Sequence, residues 1–502
     1  MDRLSHGTPS RAAAVMICAL LFAACTSSTN PGPSATSAVV PQRAPITLAG
    51  VPMASCVGVA AVCGKLRVAE DPMNPAGRQI DLRVMVYPAV APSPEPDPVF
   101  FLAGGPGGAA TEDLRWATPM FSALHVDRDF VLVDQRGTGG SNRLVAPAPP
   151  DTTGLSQAEA TAKVESWVKA TLAELPGDPR FYTTALAMDD VDLVRQALGY
   201  EKINLYGASY GATAAQYYMR QHGDRVRAVV LDGGTLLDVP IFEMFPANSQ
   251  HALDVLFARC DADTSCRQAF PSLRGEFDSL MRDLQGRPVA TGVRDPASGQ
   301  PIVFDLETFS EVIHAGLRGD WPTSDVPAFI HAAYAGDWDA LARILAIAIA
   351  QSGDSGSLVM SAVIRCSEAW ARFDPEEVAR LGAGSYYLAA TIRSATNLSQ
   401  TCRYAPSGVV PANDGEPVRG DTPVLIVLGE ADPQDPAANV ADAPVELPRS
   451  KTVVVPGQGH TVGHRGCMPT LVAAFIKAGT VDGLDTTCAL SAVPLPFKIT
   501  AP

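Results

Sequence analysis

"LYGASYGATA", residues 205–214, holds Ser209 between Gly207 and Gly211 at the G-x-S-x-G spacing. A chain with 42 glycines produces such a pentapeptide readily by accident, so its surroundings decide how it is read. Before it, "KINLYG" (202–207) reads as a short buried strand; after it, "YGATAAQYYMRQ" (210–221) reads as a helix. Ser209 is therefore predicted at a strand–turn–helix junction, where a tight turn lifts the hydroxyl above the sheet. Gly207 and Gly211 leave room where a Cβ would meet neighbouring backbone. The helix that starts after Ser209 points amide donors and its positive end at developing negative charge.

Serine is a weak nucleophile at neutral pH and needs a base, a group that orients the base, and donors for the oxyanion. "TVVVPGQGHTVGH" (452–464) puts His460 in a loop just past a strand-like run, with His464 as its competitor. Two histidines four apart also suggest a metal, but Gly463 and Gly466 oppose a helix there and no H-E-x-x-H glutamate is present. "TPVLIVLGEADPQDP" (422–436) supplies Asp432 in the loop after the preceding strand, with Glu430 and Asp435 as alternatives. Asp432-Pro433 favours a turn at that point. The oxyanion donors are expected from the amide of Tyr210 and from the early glycine loop "FFLAGGPGGAA" (100–110), through Gly105. That loop lacks the Lys-Ser/Thr ending of a P-loop, which argues against a nucleotide phosphate. The order Ser209, Asp432, His460 is that of the α/β-hydrolase fold.

Around this core, "PVFFLAGG", "DFVLVDQRG", "RAVVLDGG", "TPVLIVLGE" and "KTVVVPGQG" are continuous apolar runs ending in turn residues. Such runs suit strands buried on both faces of a mostly parallel sheet. "GKLRVAED" (64–71) and "RQIDLRVMVYPA" (78–89) read as an antiparallel edge pair. "LAMDDVDLVRQALG" (186–199) reads as a helix with Leu186, Val191, Leu193, Val194 and Leu198 near one face. From 236 to 419 helical patterns dominate, as in "ALDVLFARC" and "PEEVARLG". The expected organisation is an α/β catalytic domain over 46–235 and 420–495 with an inserted helical cap over 236–419, the rival being an independent middle domain.

Residues 1–25 read as a secretory signal, with Arg3 and Arg11 before "AAAVMICALLFAAC". Its end, Ala23-Ala24-Cys25, resembles a bacterial lipobox, with Phe22 where Leu is usual. A lipid anchor at Cys25 is the expectation, and simple cleavage near Ala24 the alternative. Residues 26–45 read as a Ser/Thr/Pro linker. The predicted location is therefore the cell envelope or the exterior. Eight further cysteines then read as a disulfide set. A preference for local loops gives Cys56–Cys63, Cys260–Cys266, Cys366–Cys402 and Cys467–Cys488, although eight cysteines allow 105 connectivities. No C-x-x-C or Cys–His cluster of zinc spacing occurs. A formal charge of −15 opposes nucleic-acid binding.

"GGPGG", "DQRGTGGS" (134–141), "DDVDLVRQALGYEKINLYGASYGATAAQYY" (189–218) and "VVLDGG" together resemble the prolyl-aminopeptidase group of α/β-hydrolases, and within it the secreted tripeptidyl-aminopeptidase-like branch. The resemblance spans about 60–235 and 420–490, and "GHTVGHRGC" before Cys488 resembles that branch's C-terminal segment. It implies a serine peptidase with Ser209, Asp432 and His460 as the triad and Gly105 and Tyr210 as oxyanion donors. It implies no metal or organic cofactor. It also implies peptide substrates with a free N-terminus entering beneath the cap, and a structural loop in which Asp134 and Arg136 act by ion pairing. Ala103 stands where prolyl aminopeptidases usually carry histidine, which argues against plain proline removal. An N-terminal peptidase must hold an ammonium group, and "RCSEAWARF" (365–373) offers Glu368, with Trp370 and Phe373 as further pocket candidates. An acyl-ester hydrolase with the same triad and an inactive surface binding protein are the alternative functions.

Overall fold

A computed structural model describes residues 44–500 apart from 113–119, 121, 148–149, 151–156, 353–356, 370–371 and 406. The signal and lipobox reading, most of the linker and Trp370 lie outside the described residues.

Each apolar run becomes a strand of one nine-stranded sheet. In chain order the eight principal strands are β1 (Val62–Ala69), β2 (Gln79–Tyr87), β3 (Val99–Leu102), β4 (Phe130–Val133), β5 (Ile203–Ala208), β6 (Val226–Asp232), β7 (Val424–Gly429) and β8 (Ser450–Val455). Their spatial order is β8-β7-β6-β5-β3-β4-β2-β1, closed by the short strand Ala54–Ser55. The pairs from β8 to β4 are parallel, and β4–β2 and β2–β1 are antiparallel, so the predicted edge pair does lie at one end.

Continuous apolar strands arise because side chains alternate and both faces are covered. Phe100, Val131, Leu205, Leu231 and Ile426 enter one core, which α1 (Thr184–Leu198) and α2 (Tyr210–His222) cover with Val191, Val194, Ala215 and Tyr218. Their neighbours Phe101, Leu132, Tyr206, Val230 and Val427 enter the opposite core, covered by Leu471, Val472 and Phe475. Leu193 departs from the predicted α1 face and is 43% exposed, because its position turns it away from Val191 and Val194.

Between β6 and β7 the chain is mostly helical, including α3 (Ile241–Ala262), α4 (Leu306–Arg318) and α5 (Leu388–Tyr404), with one hairpin pairing Val289–Arg294 and Pro301–Phe304. A third apolar core, with Leu253, Phe257, Phe277, Phe309, Ile313 and Phe329, belongs to this stretch. The four disulfides join the expected cysteines, Cys56–Cys63, Cys260–Cys266, Cys366–Cys402 and Cys467–Cys488. No helix among the described residues is long and apolar enough to cross a membrane.

In the loop 134–141 Arg136 acts by ion pairing as expected, whereas Asp134 does not. Arg136 pairs with Asp190 of α1, not with Asp134, through two bonds of 2.7 and 2.8 Å. The guanidinium is buried and also donates to the carbonyls of Glu70 and Phe181. Asp134 instead accepts from the amide and hydroxyl of Thr111 and from the amide of Gly140. The charge pair fastens the loop to α1, while Asp134 fixes the loop's own backbone.

Candidate active site

Ser209 stands between β5 and α2 with φ 55° and ψ −126°, a conformation that L residues rarely adopt. The backbone is held there by tight packing on both sides. A Cβ on Gly207 would lie 2.1 Å from the Gly211 carbonyl oxygen, and one on Gly211 would lie 2.0 Å from that of Leu102. Any side chain at either position would drive the turn off the sheet. The glycine loop after β3 abuts the serine, since a Cβ on Gly104 would fall 3.1 Å from Ser209 Cβ.

His460 and Asp432 meet in the loops after β8 and β7. His460 Nδ1 lies 2.8 Å from Asp432 Oδ2 and 3.6 Å from Asp435 Oδ2. Asp432 is fully buried, and its Oδ1 accepts the amides of Gln434 and Asp435 at 2.9 and 3.0 Å. Burial pushes the Asp432 carboxyl up, but the His460 charge and these hydrogen bonds hold it below its ordinary value. For His460, burial pulls down while Asp432 and Asp435 raise, and the net result is a rise to about 9. Burial and the neighbouring Asp432 charge push Asp435 up to about 7. Asp435 also accepts from the Thr235 hydroxyl.

The histidine loop and the serine turn are tied to one residue, Asp232 at the end of β6. Its carbonyl accepts the Ser209 amide at 2.8 Å. Its carboxylate accepts the amides of Val462 and Gly463 at 2.7 and 3.0 Å, and Tyr206 OH at 2.5 Å. A Cβ on the adjacent Gly233 would come within 3.1 Å of the imidazole. His460 Nε2 is buried and has no hydrogen-bond partner among the described residues, Ser209 included. Catalytic hydrogen bonds of this type often tighten only when substrate binds.

The rivals go elsewhere. Glu430 accepts the Gly457 amide at 2.8 Å. His464 is pushed down to about 4 by burial and by Arg465. Asp432, Asp435 and His460 offer three ligand atoms within 4.8 Å of one another, a set that could hold a metal ion. Each carboxylate is already engaged by amides, hydroxyl or imidazole.

A cavity of about 360 Å³ opens beside Ser209, with Gly105, Pro106 and Tyr210 on its wall. Gly105 has φ +126°, and Tyr210 is the first residue of α2, whose opening amides lack intrahelical partners. Glu368 lines the same cavity and is 4% exposed. Its two oxygens accept from the Thr184 amide and hydroxyl, both at 2.7 Å, and that hydroxyl lies 2.7 Å from Tyr210 OH. Burial pushes the Glu368 carboxyl up to about 7 despite these bonds. Phe373 is also on the wall. Sequence reasoning missed Thr184, Asp232, and Arg318, Arg365 and Arg372 on the cavity wall. The motif "VVLDGG" contained Asp232, but Thr184 gave no signal before its contact with residue 368 was visible.

A family model described as alpha/beta hydrolase fold matches residues 97–296, and one described as TAP-like protein matches residues 389–488. The serine protease Hip1 of Mycobacterium tuberculosis is 28% identical over 190 residues, 34% of this chain and 36% of that protein. A proline iminopeptidase of Neisseria meningitidis is 29% identical over 164 residues, covering 33% and 41%. The chain thus spans under half the length of these two relatives. A tripeptidyl aminopeptidase of Streptomyces coelicolor is 24% identical over 475 residues, 86% of this chain and 84% of that protein.

Proposed function

We propose that this chain, a hydrolase with the α/β-hydrolase fold, is a serine aminopeptidase that releases short peptides or single residues from free N-termini through an acyl-enzyme. One observation carries the reading: a single cavity is lined both by Ser209, on its strained turn, and by the buried carboxylate of Glu368. The peptidase names of the three relatives support it.

In this mechanism Ser209 Oγ attacks the scissile carbonyl and its proton passes to His460 Nε2. Asp432 holds the ring through Nδ1 and balances the imidazolium. The amides of Gly105 and Tyr210 receive the oxyanion. His460 then protonates the leaving amine; it next takes a proton from water as the resulting hydroxide attacks the acyl carbon, and returns that proton to Ser209 Oγ as the acyl group leaves as a carboxylic acid. Glu368, with Thr184 fixing its orientation, receives the substrate ammonium. A cation there favours the ionised carboxyl and offsets the burial that keeps it near neutral. The stretch 236–419 serves as a cap on a catalytic unit formed by 46–235 and 420–495. Four disulfides and the signal-like residues 1–25 support action outside the cytoplasm, with Cys25 as a lipid anchor.

The test is a panel of aminoacyl and tripeptidyl anilides, their N-acetylated forms, and short and long nitrophenyl esters, on wild type and Ser209→Ala. Free-amine anilides should turn over, N-acetylated ones poorly, and Ser209→Ala should be inactive on all. Turnover of esters alone would replace the peptidase reading with an esterase.

A further inference from the structure

The charged groups on the cavity wall are nearly all engaged. Glu311 accepts from Tyr387 OH at 2.9 Å, Glu368 from Thr184, and Asp435 from Thr235. Arg318 bonds Asp320 and Gln434, and Arg372 donates to the carbonyls of Glu368 and Leu237. Arg365 alone among these has no ion pair or hydrogen bond with any described residue. Its neighbour in charge is another cation, Arg318, whose carbonyl accepts the His460 amide at 3.0 Å. Arg365 opens the π-helical turn Arg365–Ala369, three residues before Glu368, and both line the cavity. The Cys366–Cys402 disulfide fastens this turn to α5. Arg365 is half-buried on the cavity wall; a guanidinium there with no anion among the described residues is open to one, and a carboxylate is the ligand that fits its planar fork.

We propose that Arg365, backed by Arg318, forms an anion subsite that binds a carboxylate of the peptide substrate beside the ammonium held at Glu368. The proposal rests on the aminopeptidase reading and adds a substrate class to it: peptides carrying an acidic group close to the free N-terminus. Two sources share this chemistry, an Asp or Glu side chain and the C-terminal carboxylate of a short peptide.

The test separates binding from turnover. Calorimetry on Ser209→Ala compares tripeptides with Glu or Gln at each of the three positions, each as free acid and as C-terminal amide. Acidic peptides should bind about tenfold tighter than their neutral partners, with the advantage shrinking at high salt. Preference among the amidated peptides assigns a side-chain carboxylate, and preference only for free acids assigns the C-terminus. Adding Arg365→Met should abolish the discrimination, Arg365→Glu should reverse it, and Arg365→Lys should retain part of it. Arg365→Met should also melt at a higher temperature than its parent, which an arginine with a structural role would not allow. Equal affinity for acidic and neutral peptides in the Ser209→Ala parent, or discrimination that survives Arg365→Met, overturns the proposal. The aminopeptidase reading fails separately, if the wild type turns over no free-amine anilide.

Discussion

Asp435 lies beside the Asp432–His460 pair, yet its carboxyl is shifted the opposite way from that of Asp432. Burial and the Asp432 charge raise it to about 7, whereas Asp432 is held ionised by imidazole and two amides. Asp432→Asn should therefore lower kcat by about 10⁴, because the wrong imidazole tautomer is stabilised. Asp435→Asn, which keeps an acceptor for Thr235 and leaves the 2.8 Å Asp432–His460 contact in place, should cost less than about tenfold in steady-state kinetics. The raised His460 has a direct consequence for pH. Its pKa of about 9 lies above the ordinary 6.5, so the free base is lost as pH falls through the higher value. The acidic limb of kcat/KM against pH should lie above 6.5, and a limb at or below 6.5 would contradict the pairing. Glu368→Gln should raise KM for free-amine anilides more than tenfold, on the order of one lost charge-assisted bond, and leave N-acetylated substrates unchanged. Ser209, Asp432 and His460 could be nominated from sequence because each follows a strand-like run, and the structure brings His460 against Asp432. Arg365 could not, since its meaning lies in its having no partner among the described residues.

The elements around the serine are set by what glycine allows. Gly207 and Gly211 pack with no space for a methyl group against the Gly211 and Leu102 carbonyls. Gly211→Ala should destabilise by about 3 kcal/mol or more, seen as a large drop in melting temperature or loss of soluble protein. Strands β3 to β7 were legible because both-face burial writes an unbroken apolar run, and β8, at the sheet edge, through its Val453–Val455 stretch. The hairpin 289–304 was not, because its strands are short, with Val289–Arg294 alternating half-buried and exposed positions and Pro301–Phe304 exposed and buried ones. The exposure of Leu193 has a similar origin: a short amphipathic pattern does not say which of two adjacent leucine and valine positions faces the sheet. The Arg136–Asp190 pair escaped notice because the loop motif offered a nearer acid, Asp134, while the actual partner comes from α1.

Across the molecule, the parts of the site come from distant stretches joined by β6 and by the disulfides. Cys366–Cys402 closes a loop of 36 residues and anchors the turn that carries Arg365 and Glu368. Replacing both cysteines with alanine should cost about 4 kcal/mol by loop-closure entropy. It should also raise KM more than it lowers kcat, as thermal melts and kinetics would reveal. Asp232 joins the serine turn to the histidine loop, so the whole account requires that residues 209 and 460 act as one unit. The most direct test is mass-spectrometric mapping of a fluorophosphonate adduct on intact protein. The account predicts one adduct, on Ser209, that forms far more slowly in His460→Ala and is absent in Ser209→Ala. An adduct on another residue, or none, would contradict it.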